Sequence, residues 1–277
     1  MGKSIETDVD SSIAALKLAL KDIIKEDPLY EEDFYLLRWL KAYNMSVRKA
    51  EKHLRSTANW RKENDVASLY DANFPMAWLE SMPIYADAVT KDGSIACSIQ
   101  AGLVDIRGML EELGRQDFVK YLTQAFVQVE RVLIELNKYK NRGQPLTENC
   151  IDGGTILLDM DQFAPRQLRS FEVLSTIGEV CKNVVKHFPY LGATFIVLNC
   201  NTVSAVLLKV IRSILESPSF KFEVYGQDRA EWEESIQNQI PAHMLRDVFG
   251  GTRPKEEKMK RDILIDRDLI LSLAEEL

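Results

Sequence analysis

Two short apolar runs, TILLDMD (155–161) and ATFIVLNC (193–200), constrain this chain most. Each is too short for a buried helix and too continuously apolar for a solvated strand, so each reads as a strand covered on both faces. Between and after them lie helical patterns at 169–186, 202–216 and 229–238, with a further strand at 220–225. Strands alternating with helices dictate crossover connections, and hence an α/β domain with a largely parallel or mixed sheet. Gly153 and Gly154 introduce the first run.

Upstream the periodicity is helical. Asp10 and Ser11 suit the start of a helix running to about Lys25, and Pro28 breaks it. A second helix is predicted over 31–43, with Glu31, Glu32 and Asp33 favourably placed in its first turn. Asn44 suits its stop. Ser46 opens a third helix through Lys62, with Ala50, Leu54, Ala58 and Arg61 on one stripe, and a short fourth helix follows Asp65. After Phe74-Pro75 the character changes. Pro83 and Lys91-Asp92-Gly93 bracket one short strand, SIACSIQ (94–100) supplies another, and a long helix is predicted over 116–140. Expected domains are a helical lobe over 1–80, an α/β domain over 81–252 closed by Phe249-Gly250-Gly251-Thr252, and a tail over 253–277 that docks on the body or on a partner.

Composition bounds the function classes. The chain of 277 residues is 46% hydrophobic and 28% charged, with a net charge of −7. That balance argues against nucleic acid, which calls for a basic footprint, but permits a local basic patch facing an anionic membrane. Cys97, Cys150, Cys181 and Cys200 form no CxxC and no metal-like spacing. The start MGKSIETDVD is polar and acidic, no apolar run is long enough to span a bilayer, and a cytoplasmic protein with free thiols is expected. Asn44-Met45-Ser46 spells a glycosylation sequon and is read as chance. Met1-Gly2 suggests N-acylation, but Glu6 stands where that pattern requires Ser or Thr.

No GxSxG, P-loop, GxGxxG or HExxH occurs. His53, His187 and His243 lie far apart, and His187, at a predicted helix end, reads as structural. Asp159 and Asp161 fall at the carboxyl end of a strand, where α/β sites often lie, but no third ligand is near in sequence and no metal is expected. Asp161 reads as a turn residue and Asp159 as a hydrogen-bonding one. No enzyme is expected.

The segment 202–217 carries the sharpest functional signal. Val203, Val206, Leu207, Val210, Ile211 and Ile214 recur at the spacing of one helix face. Lys209 and Arg212 fall off that face. Pattern alone fits either a helix packed permanently on a sheet or the lid of an apolar pocket.

Four stretches together resemble the CRAL-TRIO lipid-binding family: FYLLRWLKAYNMSVRKAEKHLRSTANWRKEN (34–64), GTILLDMDQF (154–163), HFPYLGATFIVLNC (187–200), and IRSILESPSFKFEVYG (211–226) with QIPAHMLRDVFGGT (239–252). The wording is closest to the supernatant protein factor and α-tocopherol transfer protein branches. The resemblance implies a helical lobe before a mixed, mostly parallel sheet whose helices enclose an apolar lipid pocket, with 202–217 as a gate helix. It implies a non-enzymatic, cytoplasmic carrier, expected to be a monomer, that holds a lipid ligand and no other cofactor and touches membranes transiently. The expected pocket lining is Ile156, Leu158, Phe163, Val180, Val184, Phe188, Phe195, Val197, Val206, Leu207, Val210, Ile211 and Ile214. Lys209, Arg212 and Lys221 are the candidates for contact with an anionic membrane or a phosphoinositide, although Glu216 and Glu223 nearby would weaken such a patch. Family members that exchange phosphatidylinositol carry a Lys, a Glu and a Lys where this chain has Asn44, Tyr190 and Lys221. Only the last is kept, so the expected ligand shifts towards neutral isoprenoids such as tocopherol or squalene, with a phospholipid as the other possibility. The β-sandwich common in that branch is not expected here. The other reading is a lipid-sensing adaptor or protein-interaction module without transfer activity, supported by the apolar tail.

Overall fold

The computed structural model describes residues 9–147, 150–215, 220–254 and 265–277. The acylation pattern at residues 1–6 and the 216–217 end of the predicted gate lie outside them. A helical lobe comes first: α1 (Val9–Ala19), α2 (Lys21–Ile24), α3 (Asp33–Ala42) and α4 (Val47–Glu63). The helix predicted to run to Lys25 breaks at Leu20, and Asp27 caps the turn that Pro28 opens by accepting from Leu29 N at 2.9 Å. Asn44 ends α3 as expected. It and Met45 both take left-handed backbone angles, φ 51° and 58°, which reverses the chain into α4.

α5 (Met76–Ser81) leads to β1 (Tyr85–Val89) and β2 (Ile95–Ile99). α6 (Ile106–Leu113), missed by sequence reading, precedes α7 (Arg115–Lys140). Then follow β3 (Gly154–Asp159), α8 (Pro165–Leu168), α9 (Phe171–His187), β4 (Gly192–Leu198), α10 (Thr202–Ile214), β5 (Lys221–Val224), α11 (Arg229–Gln239) and α12 (Arg267–Glu275). The five strands lie in the order β1-β2-β3-β4-β5. β1 is antiparallel to β2 and the rest are parallel. Sequential parallel strands joined by right-handed crossovers put their helices on one side of the sheet, and α7, α9 and α10 pack side by side in that layer. α11 covers the opposite face of β5: Gln239 Nε2 donates to Glu223 at 3.2 Å, and Tyr225 Oη donates to Ser235 Oγ at 2.7 Å.

Phe249-Gly250-Gly251-Thr252 does not end the fold. Gly250 takes φ 81°, and a Cβ on Gly251 would stand 1.9 Å from the Leu245 carbonyl oxygen, so this pair forms a turn closed to larger residues. Beyond it Ile265 bridges Ala86 of β1, and α12 packs on β1 and α7 with Ile270 fully buried. The described part of the tail docks on the body.

The lobe is held to the body by a buried ionic knot. Glu130 of α7, fully buried, accepts from Arg38 Nη2 of α3 at 2.9 Å and from Arg61 Nη2 of α4. The Arg61 guanidinium also lies over Tyr35 and Phe188, 5.9 and 5.3 Å from their centroids. Beside it the His187 ring stacks on Trp60 at 4.0 Å, and its Nδ1 is 2.9 Å from Thr57 Oγ1. His187 is thus structural, but it pins two lobes together as well as ending α9. Burial first, then Lys186 and Arg61, push its pKa down to about 4.

Two outcomes follow from this junction. Glu130→Ala leaves two guanidiniums buried without a counter-charge and should cost about 3–5 kcal/mol in urea denaturation; an unchanged midpoint would mean the arginines find other acceptors. Because His187 is neutral in the fold and takes up a proton more readily when unfolded, stability should be full above the ordinary histidine range and fall as pH drops through it towards about 4. Urea midpoints across that window should lose this part of their slope in His187→Gln.

Candidate functional site

α10 sits on the sheet through a defined start. Asn199 takes φ 54°, turning the chain out of β4. Asn201 Oδ1 then accepts from Val203 N and Ser204 N at 2.9 and 3.0 Å, while Ser204 Oγ accepts from Asn201 N at 2.9 Å. This reciprocal capping box fixes both the first residue and the rotation of the helix.

That rotation differs from the predicted one. Ser204, Leu207 and Leu208 are the buried residues of α10, and Leu215 just beyond is also buried. Val203, Ile211 and Ile214 are half-buried. Val206 and Val210, predicted to face inward, are 56% and 44% exposed. The helix is apolar around most of its circumference, so periodicity could not say which side meets the sheet. The longer leucines bury more area and take the inside.

Leu207 and Leu208 join Met160, Phe163 and Val197 in a closed cluster, with Leu158, Leu168, Leu174, Ile177, Val203 and Ile211 packed around it. Of the predicted lining, this brings Leu158, Phe163, Val197, Leu207 and Ile211 together. Met160, Leu174, Ile177 and Leu208 were missed. Phe188 is elsewhere: it is fully buried at the lobe junction, 6.0 Å from Trp60 and 5.8 Å from Phe126 between ring centroids. Val184 is buried on α9 outside the cluster.

Packing loosens towards the amino ends of the strands. Ile156 and Phe195 are register partners on the two central strands, and Leu158 lies two residues along the same face. All three are only half-buried, whereas Leu157 and Ile196, pointing to the opposite face, are fully buried. Val180 and Ile214 are half-buried as well. Phe195 stacks on Phe222 at 4.9 Å with 10° between the planes, and Phe220 lies 6.0 Å away. The alternation FKFEV carried the signal for Phe222: period two puts Phe220, Phe222 and Val224 on one side and Lys221 and Glu223 on the other.

The three candidate cations are differently placed. Lys209 is exposed on the outer side of α10. The Arg212 guanidinium lies 5.3 Å from the Phe222 centroid. Lys221 Nζ is 2.5 Å from Glu223 Oε1, which offsets its charge. Tyr190 takes φ 58°, and its ring lies 6.0 Å from Lys41 Nζ, itself held by both Asp152 oxygens at 2.5 and 2.6 Å. Asp159 accepts from Asp161 N and from Asn199 Nδ2, and Asp161 stands in the turn. Among the described residues no group of three or more His, Cys, Asp or Glu side chains could hold a metal, and no helix is long and apolar enough to cross a membrane.

The packing of α10 yields a paired test. Leu208→Ala should destabilise by about 2–5 kcal/mol, whereas Val206→Ala should stay within about 0.5 kcal/mol of the parent. Thermal or urea unfolding reads both, and the reverse ranking would restore the predicted rotation.

Comparison with known proteins places this architecture. The family model described as CRAL/TRIO domain matches residues 79–251. Protein real-time of Aedes aegypti is 23% identical over 228 residues, covering 78% of this chain and 33% of that protein. CRAL-TRIO domain-containing protein F28H7.8 of Caenorhabditis elegans is 21% identical over 263 residues, covering 92% of this chain and 61% of its own length. The chain thus spans a third to under two thirds of these relatives. A crystal structure of Sfh5 superposes with a TM-score of 0.69 at 15% identity, covering 99% of both chains, and shares the fold. A helical lobe before a five-stranded mixed sheet, with the matched residues running through every strand, makes the chain a member of the CRAL-TRIO family of lipid-binding domains.

Proposed function

We propose that this protein takes one hydrophobic lipid into the space between the α9–α10 layer and the β3–β5 face, and carries it between membranes without chemistry. The observation that carries this reading is the asymmetry of the central strands. Ile156, Leu158 and Phe195 are half-buried in the middle of a sheet whose other face is sealed. Apolar side chains left accessible beneath a helix layer are a surface awaiting an apolar partner, and each methylene removed from water there contributes about 0.8 kcal/mol. Half-buried Val180, Ile211, Ile214 and Phe222 extend the same surface.

α10 suits the part of a lid. Its inner side is leucine-rich, and its outer side carries Val206 and Val210 among Lys209 and Arg212. An exposed apolar strip beside cations is the composition of a helix that settles into the interface of an anionic bilayer. Lys221 contributes less, since Glu223 neutralises it. The proposed ligand is a neutral isoprenoid such as tocopherol or squalene, because the accessible side chains named above are all apolar. Phosphoinositide recognition would fall to Lys209 and Arg212. The proposed setting is the cytoplasm, with a monomer making transient peripheral contact. The adaptor reading rested on the tail, and α12 spends its apolar side on β1 and α7.

Native mass spectrometry of protein incubated with mixed vesicles containing α-tocopherol and squalene tests this. One bound lipid per chain is expected, and a persistent bare mass would overturn the carrier reading. Filling the space with Ile156→Trp should abolish loading. Val206→Asp with Val210→Asp should keep loading yet slow transfer between anionic vesicles several-fold.

A further inference from the structure

The helical lobe carries a basic surface outside the site under α10. Arg48, Lys49 and Lys52 of α4 are exposed and stand three and four residues apart, on one side of the helix. Lys182 and Lys186 of α9 are exposed and four residues apart. Thr57 Oγ1 and the Trp60 ring of α4 meet His187, the last residue of α9, at 2.9 and 4.0 Å, so the two helices touch where these cations lie. His53 stands between them. Its ring stacks on Tyr43 at 4.2 Å, and burial first, then Lys52 and Lys186, hold its pKa below the ordinary histidine value.

The other basic residues of α4 are already paired. Arg55 meets Glu51 at 2.9 Å and Asp22 at 2.7 Å, Arg61 meets Glu130, and Lys62 meets Glu26 at 3.2 Å. Glu179, the carboxylate one turn before Lys182, is taken by Arg115 at 2.6 Å. Among the described residues Arg48, Lys49, Lys52, Lys182 and Lys186 make no ion pair. Like charges at this spacing repel, and the chain as a whole has a net charge of −7. An uncompensated cationic surface on an acidic protein contributes nothing to the packing of either helix. Its place is also specific. α9 ends at His187 and β4 begins at Gly192, so the patch lies at the amino edge of the sheet. That is the edge towards which the apolar face opens, at half-buried Ile156 and Phe195.

We propose that this surface of α4 and α9 docks on an anionic bilayer and turns the amino edge of the sheet towards it. An acidic protein is repelled by an anionic leaflet everywhere except through such a patch, which therefore sets its orientation. The choice of a bilayer over another polyanion rests on the carrier reading, since a carrier meets a membrane at each end of its path. The contact differs in kind from that of α10. There Val206 and Val210 offer apolar area beside the cations, whereas here the named side chains are all charged, so the attraction is electrostatic and screened by salt.

The test is co-sedimentation of the full chain with vesicles of phosphatidylcholine, with and without phosphatidylserine. Binding to the anionic vesicles that falls steeply with added salt is expected. The triple variant Lys49→Gln, Lys52→Gln, Lys186→Gln, at exposed side chains that leave the fold intact, should bind about a hundredfold more weakly at low salt, at about fivefold for each charge. A control that removes the same charge elsewhere, Lys21→Gln with Lys91→Gln and Arg142→Gln, should lose far less. Unchanged affinity in the first variant, or equal loss in the control, overturns the proposal. So does capture by soluble poly-glutamate without binding to anionic vesicles, which would make the patch a site for an acidic protein. Native mass spectrometry separates this from the carrier reading: a chain that stays bare of lipid yet loses vesicle binding in the first variant alone would end that reading and leave the docking surface standing.

Discussion

A single buried carboxylate holds the two parts of this protein together. Glu130 lies in the middle of α7 and is reached from α3 by Arg38 and from α4 by Arg61. Two guanidiniums on one carboxylate leave a net positive charge in a dry place, and several of their N–H groups have no hydrogen-bond acceptor. The rings of Tyr35 and Phe188 supply the compensation, since each lies within 6 Å of a guanidinium carbon. Phe188 and His187 immediately precede the turn into β4, so the knot that docks the lobe also fixes where β4 begins. Everything above that strand, including the seat of α10, inherits its position from this contact.

The sheet itself is unequal. α11 and the segments around it seal one face, with Leu157 and Ile196 fully buried. On the other face the packing is tight near the carboxyl ends, around Val197 and Leu207, and slackens towards Ile156 and Phe195. α10 is anchored at its capped first turn, and its last turn is half-buried at Ile211 and Ile214 with Leu215 buried just beyond. The same arrangement concentrates aromatic rings, Phe195, Phe220 and Phe222, where the seat is loosest.

Much of this was legible before folding. The helices of the lobe, the five strands and the long α7 follow from Pro, Gly and Asn punctuation and from apolar period, because those signals act over a few residues. Lys41, Asp152 and Tyr190 were not legible as a group, since nothing local says that 41 meets 152. α6 was legible too, with Ile106, Met109, Leu110 and Leu113 at i, i+3, i+4 and i+7 behind the capping Asp105, and the sequence reading passed over it. The tail was readable as apolar, but its target was not: Ile265 finds β1 only because that edge strand offers free backbone groups.

The sequence by itself determined the fold class, the order of elements and the stretches that form the apolar face. Hydrophobic period and turn chemistry are local, and they survive without knowledge of neighbours. Only tertiary structure decided which side of α10 turns inward, that Phe188 serves the lobe junction, and that the end of α9 meets α4 beside their unpaired cations. Each of those depends on relative volumes and on charges brought together from segments distant in the chain. A helix apolar on most sides has no preferred face until a sheet is present to choose between leucine and valine.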